Sequence, residues 1–179
     1  MKRTLFILLF ISLSIFNKAQ NQEWTIVSSD ISFKIKNAGF TVDGKVGNLT
    51  GTIQFDPAKI SGNKIEASID ANTINTGNTM RDNHLKKEEY FFVEKFPKIS
   101  TSASSFTKEA DSRFKGNFSL SIKGTTKEVP VVFSYSEQNG KMKLSASFKL
   151  NRLDYKVGST SFIMSDDVNV FIEVTFAKK

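Results

Sequence analysis

From Lys141 to Leu150 every second residue is apolar. Met142, Leu144, Ala146, Phe148 and Leu150 alternate with Lys141, Lys143, Ser145, Ser147 and Lys149. A period of two puts the apolar side chains on one face of an extended strand and the lysines on the other, whereas a helix would scatter both around its axis. The rhythm recurs along the chain: Ile31, Phe33 and Ile35; Val46, Ile53 and Phe55; Ile65, Ala67, Ile69 and Ala71; a Ser/Thr-rich run from Ile99 to Phe106. It returns in Phe114, Phe118, Leu120 and Ile122, in Val129, Val131, Phe133 and Tyr135, and finally in Val168, Val170, Ile172, Val174 and Phe176. Roughly eight such strands in hairpin order predict an all-β chain whose apolar faces must close on one another. An antiparallel up-and-down eight-stranded barrel does this and leaves no exposed sheet edge. A sandwich is the alternative. An outer-membrane barrel is disfavoured, because the polar face carries lysine after lysine where lipid would lie.

The turns have their own chemistry. Asn139-Gly140 favours a tight hairpin, and Asn37 to Gly44, with Gly39 and Asp43-Gly44, reads as a loop or hairpin. Gly47 and Gly51 inside the second strand predict a bulge or sharp bend. Pro57 ends that strand and Ser61-Gly62-Asn63 turns the chain. One stretch, Thr76 to Pro97, lacks strand rhythm. Asn78 and Thr79 can cap a short helix containing Arg81, Asp82, His84 and Leu85, and an aromatic knot of Tyr90, Phe91, Phe92 and Phe96 follows. A polar helical turn beside packed aromatics predicts a plug on the barrel.

Residues 1–20 are expected to be a secretory signal, leaving 21–179 as a single barrel domain. Lys2 and Arg3 precede an apolar run from Leu5 to Phe16, too short to span a bilayer comfortably, and Ala19 offers a small residue for cleavage. The expected destination is periplasmic or secreted. Loss of Lys2, Arg3 and Lys18 would lower the net charge from +7 to +4. The remaining lysines are dispersed over strand faces, so a nucleic-acid partner is not expected, while the mild positive charge leaves room for weak, transient contact with an anionic membrane surface. There is no cysteine, so stability must come from a core that the chain is long enough to build.

Chemistry-bearing constellations are sparse. His84 is the sole histidine. With Asp82 and Arg81 it could form an acid–base cluster on the helical turn, but a structural knot is the favoured reading, and no catalytic residue is assigned. Neither a metal site nor a cofactor is expected, since no His/Cys ligand spacing, Gly-x-Ser-x-Gly elbow or phosphate-cradling glycine loop occurs. Arg152, between Asn151 and Asp154, either ties down the following loop or meets a ligand head group. Asp166-Asp167 orients the start of the last strand.

The interior carries the functional question. Seventeen Phe residues against one Trp and three Tyr imply a bulky core or the lining of an apolar cavity. Ala67, Ala71, Ala103 and Ala146 face the Phe-rich strands and leave room for a void. A hydrocarbon buried there gains up to about 0.8 kcal/mol per methylene-sized group before the costs of binding. The expected lining is Phe33, Ile35, Phe55, Phe118, Leu120, Phe133, Phe148 and Ile172. Arg81, Asp82, His84 and Arg152 would hold the plug or meet a head group.

The ordered landmarks resemble the YceI-like family of exported, lipocalin-like, polyisoprenoid-binding barrels. They are Trp24 with Ser32-Phe33, Asn75-Thr76-Gly77, Arg81-Asp82-Asn83-His84-Leu85, Tyr90-Phe91, Phe96-Pro97-Lys98-Ile99, Gly124-Thr125-Thr126-Lys127 with Val129, and Asn151-Arg152. The resemblance runs from Trp24 to Lys178. It implies an antiparallel barrel with a long apolar cavity for an isoprenoid-like lipid or a quinone-type ligand, serving sequestration or transport rather than catalysis. Two positions depart from the family pattern: Asn37 stands where a His is frequent, and Ser165-Asp166-Asp167 replaces a Gly-Asp. A different head-group preference follows if that His meets the head group. The rivals to this reading are a filled barrel acting as a protein-interaction module and an enzyme using His84 and Asp82 on a bound lipid. Oligomeric state is not legible.

Overall fold

The computed structural model describes residues 24–178. The expected signal segment, 1–20, lies outside the described residues. The chain forms β1 (Trp24–Asn37), β2 (Phe40–Gln54), β3 (Lys64–Asn75), α1 (Thr79–Leu85), β4 (Lys98–Ala103), β5 (Phe106–Ala110), β6 (Arg113–Ile122), β7 (Thr125–Gln138), β8 (Lys141–Asn151) and β9 (Met164–Lys178). A short 3₁₀ turn, Arg152–Tyr155, links β8 to β9. All pairings are antiparallel, in the order β4-β3-β2-β1-β9-β8-β7-β6-β5, and β4 also pairs with β6 to close the ring. β4 and β5 lie end to end along β6: Ser102 faces Ser119, and Phe106 faces Gly116. They share one position in the wall, so the barrel has the eight strands that the alternation calls for.

Turn chemistry sets the register. β7 and β8 meet through Asn139-Gly140, with φ of 52° and 70°, the positive values that a two-residue hairpin needs. The β1–β2 turn is Ala38-Gly39, flanked by the pair Asn37–Phe40. Asp43-Gly44 is not part of that turn. Both residues lie within β2, and Gly44 sits opposite Phe33. The bend expected at Gly47 and Gly51 is present, for the β2–β3 register shifts between Lys45 and Gly47 and again before Thr50. At Gly51 any Cβ would strike the Glu66 carbonyl oxygen, so the two backbones approach closely only because no side chain stands there.

Alternation folds the apolar face inward, and the inward residues make two packed zones. The larger lies at the end holding Trp24 and Lys178. Phe55, Phe106, Phe114, Phe133, Met142, Val174, Phe176 and Trp24 are buried together there. Phe55 meets Phe106, Phe114 and Phe133 near-perpendicularly at ring centroid distances of 5.5, 5.1 and 5.3 Å, the edge-to-face arrangement that the ring quadrupoles favour. The smaller zone, Ile122, Tyr155 and Val157 with Tyr90, Phe91, Ile99, Leu120 and Leu150, lies under α1.

Candidate functional site

Between the two packed zones the barrel is hollow. A cavity of about 350 Å³ runs along the axis, within the usual range of small-molecule pockets, about 300–1,000 Å³. It exists because the inward positions of β3 and β8 include Ala67 and Ala146, whose short side chains leave the space that a Leu or Phe would fill. Ala71 and Ala103 are buried but do not line it, and Ala103 belongs to the aromatic zone.

Phe33, Ile35, Phe118, Leu120, Phe133, Phe148 and Ile172 all lie on the cavity wall. Phe55 does not. It faces inward as its parity requires, but it sits at the Trp24 end, locked among four other rings. Sequence reading missed the contribution of the first strand's neighbours: Val42 and Val46 of β2 and Val168 and Val170 of β9 are also in the wall. Their period-two spacing was the available signal. The Phe33 ring reaches its position because its partner across the sheet is Gly44, where a Cβ would overlap the ring.

At the α1 end the polar residues of the wall are Asn37, Thr76, Arg81 and Arg152, and a second polar group, Thr52, Glu66, Ser68, Ser100 and Thr101, lines it along β2, β3 and β4. The helix starts where Asn78 accepts a hydrogen bond from the Arg81 backbone N–H at 3.0 Å, capping an otherwise unpaired donor. Asp82 Oδ1 accepts from both the backbone N–H (2.8 Å) and the hydroxyl (2.6 Å) of Thr76. Arg81 Nε donates to the Thr76 hydroxyl oxygen at 2.6 Å, and its Nη2 donates to the Thr76 carbonyl at 2.9 Å. Both charged groups thus fasten the helix to the end of β3.

His84 points elsewhere. It is exposed, lies 3.3 Å from a Glu89 carboxylate oxygen, and meets the Tyr90 ring edge-on at 5.0 Å. His84 and Asp82 therefore have separate partners and do not form an acid–base pair. Beyond the helix, the aromatic segment ties back on itself through Phe91 N–H to the Leu85 carbonyl and Phe96 N–H to the Phe92 carbonyl. Tyr90 and Phe91 face the cavity, whereas Phe96 covers Gly124.

Arg152 is only 5% exposed, and every guanidinium nitrogen is used. Nε donates to the Ser165 carbonyl (2.9 Å), Nη1 to the Val157 carbonyl (3.0 Å) and Nη2 to Asp166 Oδ1 (2.8 Å). It clamps the β8–β9 connection to the start of β9, and Asp166 completes the clamp. Beside it, the Tyr155 hydroxyl is buried and has no hydrogen-bond partner among the described residues. Burial, and then the nearby Asp154 charge, push that phenol above its ordinary range, so it stays protonated. Lys123 is pulled the other way, chiefly by burial, and its ammonium donates to the carbonyls of Glu89 and Lys156. Among the described residues no group of three or more His, Cys, Asp or Glu is placed to hold a metal ion.

Comparison with known proteins agrees with this geometry. Residues 24–176 match the model of the YceI-like domain. The protein YceI of Salmonella arizonae is 28% identical over 152 residues, covering 80% of this chain and 78% of its own length. BcnA of Burkholderia cenocepacia superposes with a TM-score of 0.78 at 18% identity, over 82% of this chain and 95% of that one. A polyisoprenoid-binding domain from Saccharophagus degradans, implicated in plant cell wall breakdown, gives 0.72 at 12% identity over 89% and 99%. At those identities the two solved structures speak for the fold: a closed antiparallel barrel with one short helix. With the domain model spanning nearly all the described residues, the chain belongs to the YceI-like family.

Proposed function

We propose that this chain is an exported carrier that holds a long apolar ligand, an isoprenoid-like lipid or the side chain of a quinone-type molecule, inside its barrel. Its task is sequestration or transport, without chemistry. The apolar cavity of about 350 Å³ inside the barrel is the observation that carries this reading. A void of that size lined by Phe, Ile, Leu and Val gives a hydrocarbon tail a dry, preformed site, and each buried methylene adds up to about 0.8 kcal/mol. The description of the Saccharophagus domain as polyisoprenoid-binding supports the ligand class. Phe33, Ile35, Phe118, Leu120, Phe133, Phe148 and Ile172 hold the tail. Arg81 places a cationic group at the α1 end of the wall, where a polar head group would sit, and Arg152, paired with Asp166, holds the loop beside it. The expected leader, residues 1–20, takes the protein across the inner membrane and is removed.

Organic extraction of the purified protein followed by mass spectrometry tests the proposal. A long-chain lipid in roughly molar proportion is expected from wild type. Ala146→Phe, which puts a ring into the void between Phe133 and Ile172, should fold yet come out nearly lipid-free. Lipid-free wild type that also takes up no added prenol or quinone overturns the carrier reading.

A further inference from the structure

Among the described residues the large apolar side chains left in solvent are Val27, Phe40, Met80, Phe162, Ile163 and Phe171. Val27 and Phe171 lie within strands, on the outside of the barrel. The other four belong to the end where α1 sits. Phe40 follows the β1–β2 turn and is 76% exposed, Met80 lies on α1 at 83%, and Ile163 is 65% exposed beside Phe162, which is fully exposed. The two loops that carry Phe40 and Ile163 are tied together, since the Ala38 N–H donates to the Ile163 carbonyl at 2.7 Å and Asn37 pairs with Met164. The same segments supply Asn37, Met164, Arg81 and Leu85 to the cavity wall. Exposed apolar tips and the head of the cavity therefore occupy one end of the molecule.

The charges around the tips are close to balanced, with basic residues slightly in excess. Lys36, Lys86, Lys87, Lys95 and Lys156 belong to these segments and none forms an ion pair among the described residues, while Lys123 of the adjoining β6–β7 turn is held by the Glu89 and Lys156 carbonyls. Of the acids here, Asp43 pairs with Lys34, Glu89 with His84, Asp166 with Arg152 and Asp167 with Lys149, while Asp82 is held by the neutral Thr76 and keeps its charge. Asp70, Glu88, Glu94 and Asp154 remain, and Asp70 lies close enough to Lys86 to feel its charge. Apolar tips set among lysines that lack ion-pair partners match the surface of an anionic bilayer: the tips enter the acyl boundary while the ammonium groups meet phosphate.

We propose that the α1 end, with Phe40, Phe162, Ile163 and Met80 as its inserting residues, docks on anionic lipid bilayers and presents the cavity to the membrane. The proposal rests on the carrier reading for its purpose but not for its test. Docking at this end brings the head of the cavity against the bilayer and shortens the path of a tail between membrane and barrel.

The test is flotation with vesicles of phosphatidylcholine, with and without phosphatidylglycerol, comparing wild type with the triple variant Phe40→Ser/Phe162→Ser/Ile163→Ser. All three side chains are exposed, so the variant keeps its core. Wild type should float with the phosphatidylglycerol vesicles, less so as salt is raised, and the variant should bind about tenfold or more weakly. Equal flotation of variant and wild type, or no flotation of wild type, overturns the docking surface. Lipid extraction of the same samples separates the two readings. Lipid found without flotation defeats the docking alone. Flotation of a barrel that never holds lipid supports docking and defeats the carrier.

Discussion

Thr76 shows how the conspicuous charges of the plug are spent. Its N–H and hydroxyl both donate to Asp82, while its hydroxyl oxygen and carbonyl both accept from Arg81. Asp82→Ala removes the acceptor of two hydrogen bonds, one of them from a backbone donor that has no substitute. Urea unfolding should show a loss of about 1–3 kcal/mol. His84→Ala, by contrast, gives up one exposed contact and should change stability by no more than about 0.5 kcal/mol, with retained lipid unchanged in extracts. Loss of lipid on His84→Ala would return the histidine to the functional site. The motif Arg81-Asp82-Asn83-His84 was conspicuous in the sequence. Which of its members face the barrel was not, because a seven-residue helix offers too few turns for a face to be inferred from spacing.

At the scale of elements, parity along each strand was legible and height along the barrel axis was not. Alternation put Phe33, Phe148 and Phe55 indoors alike. Only the register, set by bulges in β2 and the stagger of neighbouring strands, sends Phe33 and Phe148 to the hollow and Phe55 to the aromatic zone. Gly44 was misread for a related reason. Asp-Gly is a strong hairpin signal, but here the glycine serves the opposite strand by leaving the Phe33 ring somewhere to lie. Gly44→Val should therefore push Phe33 off its place and into the cavity. The expected result is a variant that still melts cooperatively but retains several-fold less extracted lipid than wild type, with a destabilisation of about 1–3 kcal/mol from the forced repacking. An unchanged lipid load would mean that the ring's position is immaterial to the site.

For the whole molecule, closure of the sheet is uneven. β6 faces β7 continuously from Arg113–Ser134 to Ile122–Thr125, whereas β4 meets β6 only at Ser100–Ser121, Thr101–Leu120 and Ser102–Ser119. The composition of that seam hinted at it, for the run from Ile99 to Phe106 was the weakest strand signal in the chain, but strand partners cannot be read from a single strand's rhythm. Amide hydrogen exchange should find β4 and β5 protected least among the wall strands and β8 and β9 most, with a bound ligand slowing exchange at Thr101 more than at Leu144. Uniform protection around the ring would contradict this. A cylinder stitched so sparsely along one line behaves less like a tube than like a rolled cuff. It can gape at the join by a few backbone bonds while the rest of the wall keeps its pairing, so its bore can widen for a bulkier guest without the protein unfolding.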